Sequence, residues 1–119
     1  MKLAITSRGT DLDAPVDKRF GRASHILIVD SETLEFEMLD NSENLNAFKG
    51  AGINAAVMVS RKGADILITG YCGPNAFKTL QAANIKVSND ARGTVRETIG
   101  DFAQGRCHFL DDANVEGHW

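Results

Sequence analysis

The sequence predicts an α/β fold: a five-stranded mixed sheet with three helices. Three observations carry this. Two short apolar runs, Ile26-Leu27-Ile28-Val29 and Ile66-Leu67-Ile68, have the length of strands buried on both faces. After the second run, Gly70-Tyr71-Cys72-Gly73-Pro74 has the composition of a tight strand-to-helix turn. Pro74 stands at a first helical position, where its missing N–H is harmless. Helical apolar spacing then alternates with strand-length runs, which gives the order βββαβαβα.

Taken in order, Lys2 to Thr6 alternates apolar and small residues and reads as the first strand. Ser7 to Thr10 is a loop, and Asp11 to Arg22 is polar and broken by Pro15 and Gly21. Ile26 to Val29 is the second strand. Asp30 to Thr33 has turn composition. Leu34, Phe36 and Met38 alternate with Glu35 and Glu37, so the third strand has one wet face and forms a hairpin with the second. Asp40 to Asn46 reads as loop.

Gly50-Ala51-Gly52 opens a helix whose core stripe is Ile53, Ala56, Val57 and Ser60, ended by Arg61-Lys62-Gly63. Ile66 to Ile68 follows as the fourth strand, then a helix from Pro74 to Ala83, then a short strand at Ile85 and Val87. Thr94-Val95-Arg96-Glu97 has capping-box spacing and starts a helix with Val95, Ile99 and Phe102 on one face. Gly105 stops it. Residues 1–110 form the folded domain, and 111–119, which end in His118-Trp119, form a flexible tail.

Composition narrows the function. A net charge of −3 argues against general nucleic-acid binding. No apolar run approaches a membrane span, and the N-terminus lacks a signal-peptide core, so a cytoplasmic monomer is expected. Cys72 and Cys107 are far apart and form no CxxC, which disfavours zinc or a disulfide framework. The strands offer no clustered carboxylates for metal-dependent phosphoryl chemistry, and no nucleophilic triad stands out. The chain does not read as an enzyme.

Right-handed crossovers make the first, fourth and fifth strands parallel and give the sheet order 3-2-1-4-5, with the second strand antiparallel. The winding direction reverses between strands one and four. Ligands of open α/β sheets sit beyond the carboxyl ends of strands at such a point. Gly9, Gly21, Gly50, Gly52, Gly70, Gly73 and Gly93 fall in loops at that edge, with the cations Arg8, Lys18, Arg19, Arg22, Lys49 and Arg92. His25, Asn41 and Asn44 lie nearby. Helix N-termini add positive potential, so the edge suits a compact anion. Several aspartates at the same rim oppose it.

Several stretches, in order and spacing, resemble the dinitrogenase iron–molybdenum cofactor biosynthesis family. They are Val16-Asp17-Lys18-Arg19-Phe20-Gly21-Arg22-Ala23, Gly50-Ala51-Gly52, Ile68-Thr69-Gly70, Gly73-Pro74-Asn75-Ala76-Phe77 and Gly93-Thr94-Val95-Arg96-Glu97. The resemblance implies a ribonuclease-H-like fold and a carrier or recipient of the iron–molybdenum cofactor or its precursors. The chain is most similar to a branch of small stand-alone members that bind a molybdenum–copper sulfide cluster without covalent attachment. The implied partners are the cluster and a protein that donates or receives it.

On that reading the cluster-binding candidates are Arg8, Arg19, Gly21, Arg22, Asn44, Gly70, Tyr71, Cys72, Gly73, Asn75 and Arg92. Cys72 is a candidate soft ligand for a cluster metal, against burial as a small hydrophobe. His25 is a candidate ligand or proton donor, against a structural role. A phosphate or nucleotide sensor, or a protein-interaction module, is the alternative use of the same edge.

Overall fold

The computed structural model describes residues 1–45 and 50–114. Asn46, Lys49, His118 and Trp119, which figure in the sequence reading, lie outside the described residues. Within those described, the elements run β1 (Lys2–Ser7), β2 (His25–Asp30), β3 (Phe36–Asp40), α1 (Ser42–Leu45), α2 (Ala51–Arg61), β4 (Ile66–Ile68), α3 (Pro74–Ala82), β5 (Lys86–Ser88) and α4 (Val95–Ala103). The short α1 is an addition: the stretch after β3 was expected to be loop, and its first residues make one helical turn.

The sheet has the expected order, β3-β2-β1-β4-β5. β2 runs antiparallel to both β1 and β3, while β1, β4 and β5 are parallel. Alternation along the central strands divides the core between two faces. Ala4, Ile26, Ile28 and Leu67 pack under α2 and α3, against Ala55, Ala56, Val59, Phe77 and Leu80. Leu3, Ile5, Leu27, Val29, Ile66 and Ile68 pack with Val95 and Ile99 of α4 and with Leu12 and Val16.

Two faces differ from expectation. In α2 the buried residues are Ala51, Ala55, Ala56 and Val59, while Ile53 is exposed. The small side chains let the helix approach the sheet closely, and the bulkier Ile53 turns outward. In β3 the alternation was expected to bury Phe36 and Met38, yet both are exposed. They lie opposite Val29 and Leu27, on the α4 side of the sheet. α4 packs across β1, two strands away, and does not cover them. Leu39, on the other face, is buried under α2 instead.

Candidate functional site

The carboxyl ends of β1 and β4 are tied together by threonine hydroxyls. Thr6 Oγ1 and Thr69 Oγ1 lie 2.8 Å apart, and Thr6 Oγ1 also donates to the Asp17 carbonyl. The Asp17 N–H returns a bond to the Thr6 carbonyl at 2.9 Å. The irregular segment before β2 is therefore fastened directly over the switch point.

From there it runs beside the loop between β4 and α3. Gly70 and Tyr71 both donate their N–H to the Lys18 carbonyl, and Phe20 N–H donates to the Tyr71 carbonyl at 3.1 Å. Arg19 and Tyr71 form a parallel bridge. The approach is too close for a side chain at position 70: a Cβ there would stand 2.7 Å from the Lys18 oxygen. The same segment then meets the start of α2, where a Cβ on Gly21 would stand 2.7 Å from the Gly52 nitrogen. Gly52 in turn sits against Ala76 in the first turn of α3, with only 3.1 Å between its would-be Cβ and that methyl carbon. Segment 17–22, the glycine loop and the N-termini of α2 and α3 thus form one continuous seam.

Arg8 joins it from the other side. Its N–H donates to Pro15 at 2.9 Å, and Val16 N–H donates to Gly93 at 2.9 Å, so the loops after β1 and before α4 meet the same segment. The Arg8 and Arg19 side chains are exposed, and Arg22 is half-buried. Arg19 holds Asp17 loosely, at 3.4 Å from Nε. The Asn75 and Ala76 N–H groups belong to the first turn of α3, which helix geometry leaves without an intrahelical acceptor. They and the helix dipole supply positive potential at the seam. Tyr71 is exposed beside them.

Other candidates are occupied. Arg92 grips the Asp101 carboxylate of α4 through Nε at 2.6 Å and Nη2 at 3.0 Å, and this hydrogen bonding raises its pKa further. Asn44 is buried and donates to Asn41 Oδ1 at 2.7 Å and to Met58 Sδ at 3.2 Å. With Asp40, Ser42 and Glu43 these residues line an open groove of about 340 Å³ beside the seam. His25 is half-buried at the start of β2, with Nδ1 3.0 Å from Ser24 Oγ and Asp40 opposite on β3.

The Cys72 side chain lies fully buried in the core under α2 and α3. Burial pushes its thiol pKa up to about 12. The N–H groups of the glycine loop are likewise used internally, those of Gly70 and Tyr71 by Lys18 and that of Cys72 by Asn114. Asn114 was missed by sequence reasoning, because nothing in its polar surroundings marks it. Among the described residues, no group of three or more His, Cys, Asp or Glu side chains is arranged to hold a metal ion.

Comparison with known proteins agrees with this architecture. The model of the dinitrogenase iron–molybdenum cofactor family matches residues 1–105. The apo form of the orange protein from Desulfovibrio gigas is 43% identical, with a TM-score of 0.92 and 96% of each chain covered. A putative NifB protein from Thermotoga is 37% identical, with a TM-score of 0.83 and 98% of each chain covered. A putative dinitrogenase from Methanocaldococcus jannaschii, 16% identical, shares the fold with a TM-score of 0.69 over 94% of this chain and 96% of its own. No curated protein sequence matches the chain. With the family model covering most of its length, and two relatives above a third identical over nearly the whole chain, this protein belongs to the dinitrogenase iron–molybdenum cofactor family.

Proposed function

We propose that this protein binds and carries a molybdenum-containing metal–sulfide cluster, without covalent attachment, at the seam between segment 17–22 and the N-termini of α2 and α3. The cluster is cargo, either a molybdenum–copper sulfide or an iron–molybdenum cofactor precursor, and the protein is a carrier and not a catalyst. Family membership and the likeness to the orange protein support the class of ligand. The observation that carries the reading is the convergence of Gly21, Gly52, Gly70 and Ala76, which brings Arg19, Tyr71 and open helical N–H groups to one place.

The chemistry suits that ligand. Metal–sulfide clusters are compact anions with polarisable sulfide surfaces. Guanidinium forks and backbone N–H groups bind such surfaces by charge-assisted hydrogen bonds. In this reading Arg8, Arg19 and Arg22 supply charge, the first turn of α3 supplies donors, and Tyr71 supplies an aromatic face. Cys72 acts through its backbone and its packing, since a buried thiol with a pKa near 12 stays protonated at neutral pH. Asn44, Arg92 and His25 hold the frame around the seam.

Anaerobic reconstitution with tetrathiomolybdate and a copper salt tests the reading. The expected product is a coloured protein that retains molybdenum and sulfur through gel filtration. Replacing Arg19 and Arg22 by Ala should weaken uptake by about thirtyfold, as expected for losing two charge-assisted contacts at roughly 1 kcal/mol each. Replacing Arg61 and Lys62, at the far end of α2, should leave it unchanged. A colourless protein that binds nucleotide phosphates instead would replace the carrier with a phosphate sensor.

A further inference from the structure

After α4 the chain turns back along the free edge of β5. Ser88 and Phe109 form an antiparallel bridge, and the Leu110 N–H donates to the Val87 carbonyl at 2.7 Å. Lys86 Nζ lies 5.2 Å from the centre of the Phe109 ring. Leu110 and Ala113 pack against the core under α2 and α3. This route protects an edge strand. It also delivers Asn114 to the glycine loop, 42 residues earlier in the chain.

There the carboxamide is used at both ends. Oδ1 accepts the Cys72 N–H at 2.9 Å, and Nδ2 donates to the Gly70 carbonyl at 2.8 Å. The Asn114 backbone N–H adds a bond to the Cys72 carbonyl at 3.2 Å. Lys18 holds the loop from the opposite side through Gly70 and Tyr71. Tyr71 stands between the two clamps, paired with Arg19.

We infer that Asn114 is a positioning residue for the cluster site. Its carboxamide fixes Gly70–Cys72 so that Tyr71, Arg19 and the open first turn of α3 face a single anion. The inference rests on the cluster-carrier reading. A loop flanked by two glycines has much backbone freedom to lose. Settling that loss within the folded protein, before the ligand arrives, leaves more of the contact energy for binding. The role is specific to a carboxamide. Aspartate keeps an acceptor for Cys72 N–H, but it turns a carboxylate toward the Gly70 carbonyl and adds negative charge beside an anion site. Alanine removes both contacts.

The test compares the full chain with Asn114→Ala and Asn114→Asp by anaerobic reconstitution with tetrathiomolybdate and a copper salt. Molybdenum is counted at low and high ionic strength, and amide exchange is followed at Tyr71 and Cys72. Asn114→Ala should bind about fivefold more weakly, as expected for one newly mobile loop segment. Exchange should quicken at Cys72 and stay unchanged at Leu67. Asn114→Asp should bind more weakly still at low salt, and the gap to alanine should close as salt screens the charge. Wild-type uptake matched by both variants overturns the inference and leaves the carrier reading intact. Equal weakening by alanine and aspartate at low salt also overturns it, since Asn114 would then act on folding alone. No uptake by wild type removes the carrier reading, and the inference falls with it.

Discussion

Glycine at position 70 has a role set by its neighbours and not by its own backbone angles. A Cβ there would meet Lys18 from Cβ to carbonyl oxygen at 2.5–2.7 Å, so a methyl group must push two segments apart. Gly70→Ala should therefore lower stability by about 1–3 kcal/mol, as overpacking does, and open the seam. Gly100, in the middle of α4, has nothing within 4 Å of its would-be Cβ. Gly100→Ala should raise stability by about 0.5–1 kcal/mol through helix propensity. Urea unfolding of both variants checks the pair, and a neutral Gly70→Ala would show that the seam is not closely packed. The sequence marked Gly21 and Gly70 as loop glycines at the right edge. It could not say which backbone each one touches, because that depends on pairing across dozens of residues. The ion pair of Arg92 was hidden for the same reason: its partner Asp101 lies nine residues on, nearly two turns into α4, and only the fold closes the pair.

Local signals were the most legible part of the elements. The capping box at Thr94 and Glu97 is present as read, and α2 and α3 begin after Gly50 and Gly73. The less legible part was which face of an element turns inward. Burial of a strand face depends on what lies above it, and α4 is too far away to cover Phe36 and Met38. Leu34, at the hairpin that opens β3, adopts a φ of 64° with its side chain exposed. Leu34→Gly should then raise stability by about 1 kcal/mol, since only glycine enters that region freely. An unchanged or lower melting temperature would mean that the leucine side chain contributes more than its backbone strain removes.

α4 itself is held by Asp101, which accepts from Arg92 and lies near Arg106 at 3.5 Å. The Arg92 hydrogen bond keeps the Asp101 carboxyl below the usual carboxylate range. Its folded pKa is lower than its unfolded one, so its contribution is present at neutral pH and fades as acid protonates it. Stability should fall as pH drops through and below the ordinary aspartate range. Asp101→Asn should show a shallower acid slope over that window, and an identical slope would contradict the assignment.

At the scale of the molecule, the order of strands decides where the ends of the loops meet. That order was readable from crossover handedness and from the run of apolar segments, and the structure has it. Given the order, the switch between β1 and β4 gathers Arg8, Arg19, Gly21, Gly52, Gly70 and Asn75 from four separate stretches of chain. What the order could not reveal is the fastening: the Thr6–Thr69 hydroxyl pair, the Lys18 carbonyl shared by two N–H groups, and the return of Asn114. Those contacts turn a rim of loops into a fixed surface. On the proposed carrier reading, the helix N-termini then act on a bound anion from fixed positions.

The most direct measurement is a backbone amide chemical-shift map of the protein titrated anaerobically with tetrathiomolybdate and a copper salt. The account predicts that the largest changes fall on Arg19 to Arg22, Ala51 to Ile53, Tyr71 to Gly73 and Asn75 to Phe77. Largest changes at the opposite end of the sheet, around Ser31, Gly63 and Asn84, would contradict it.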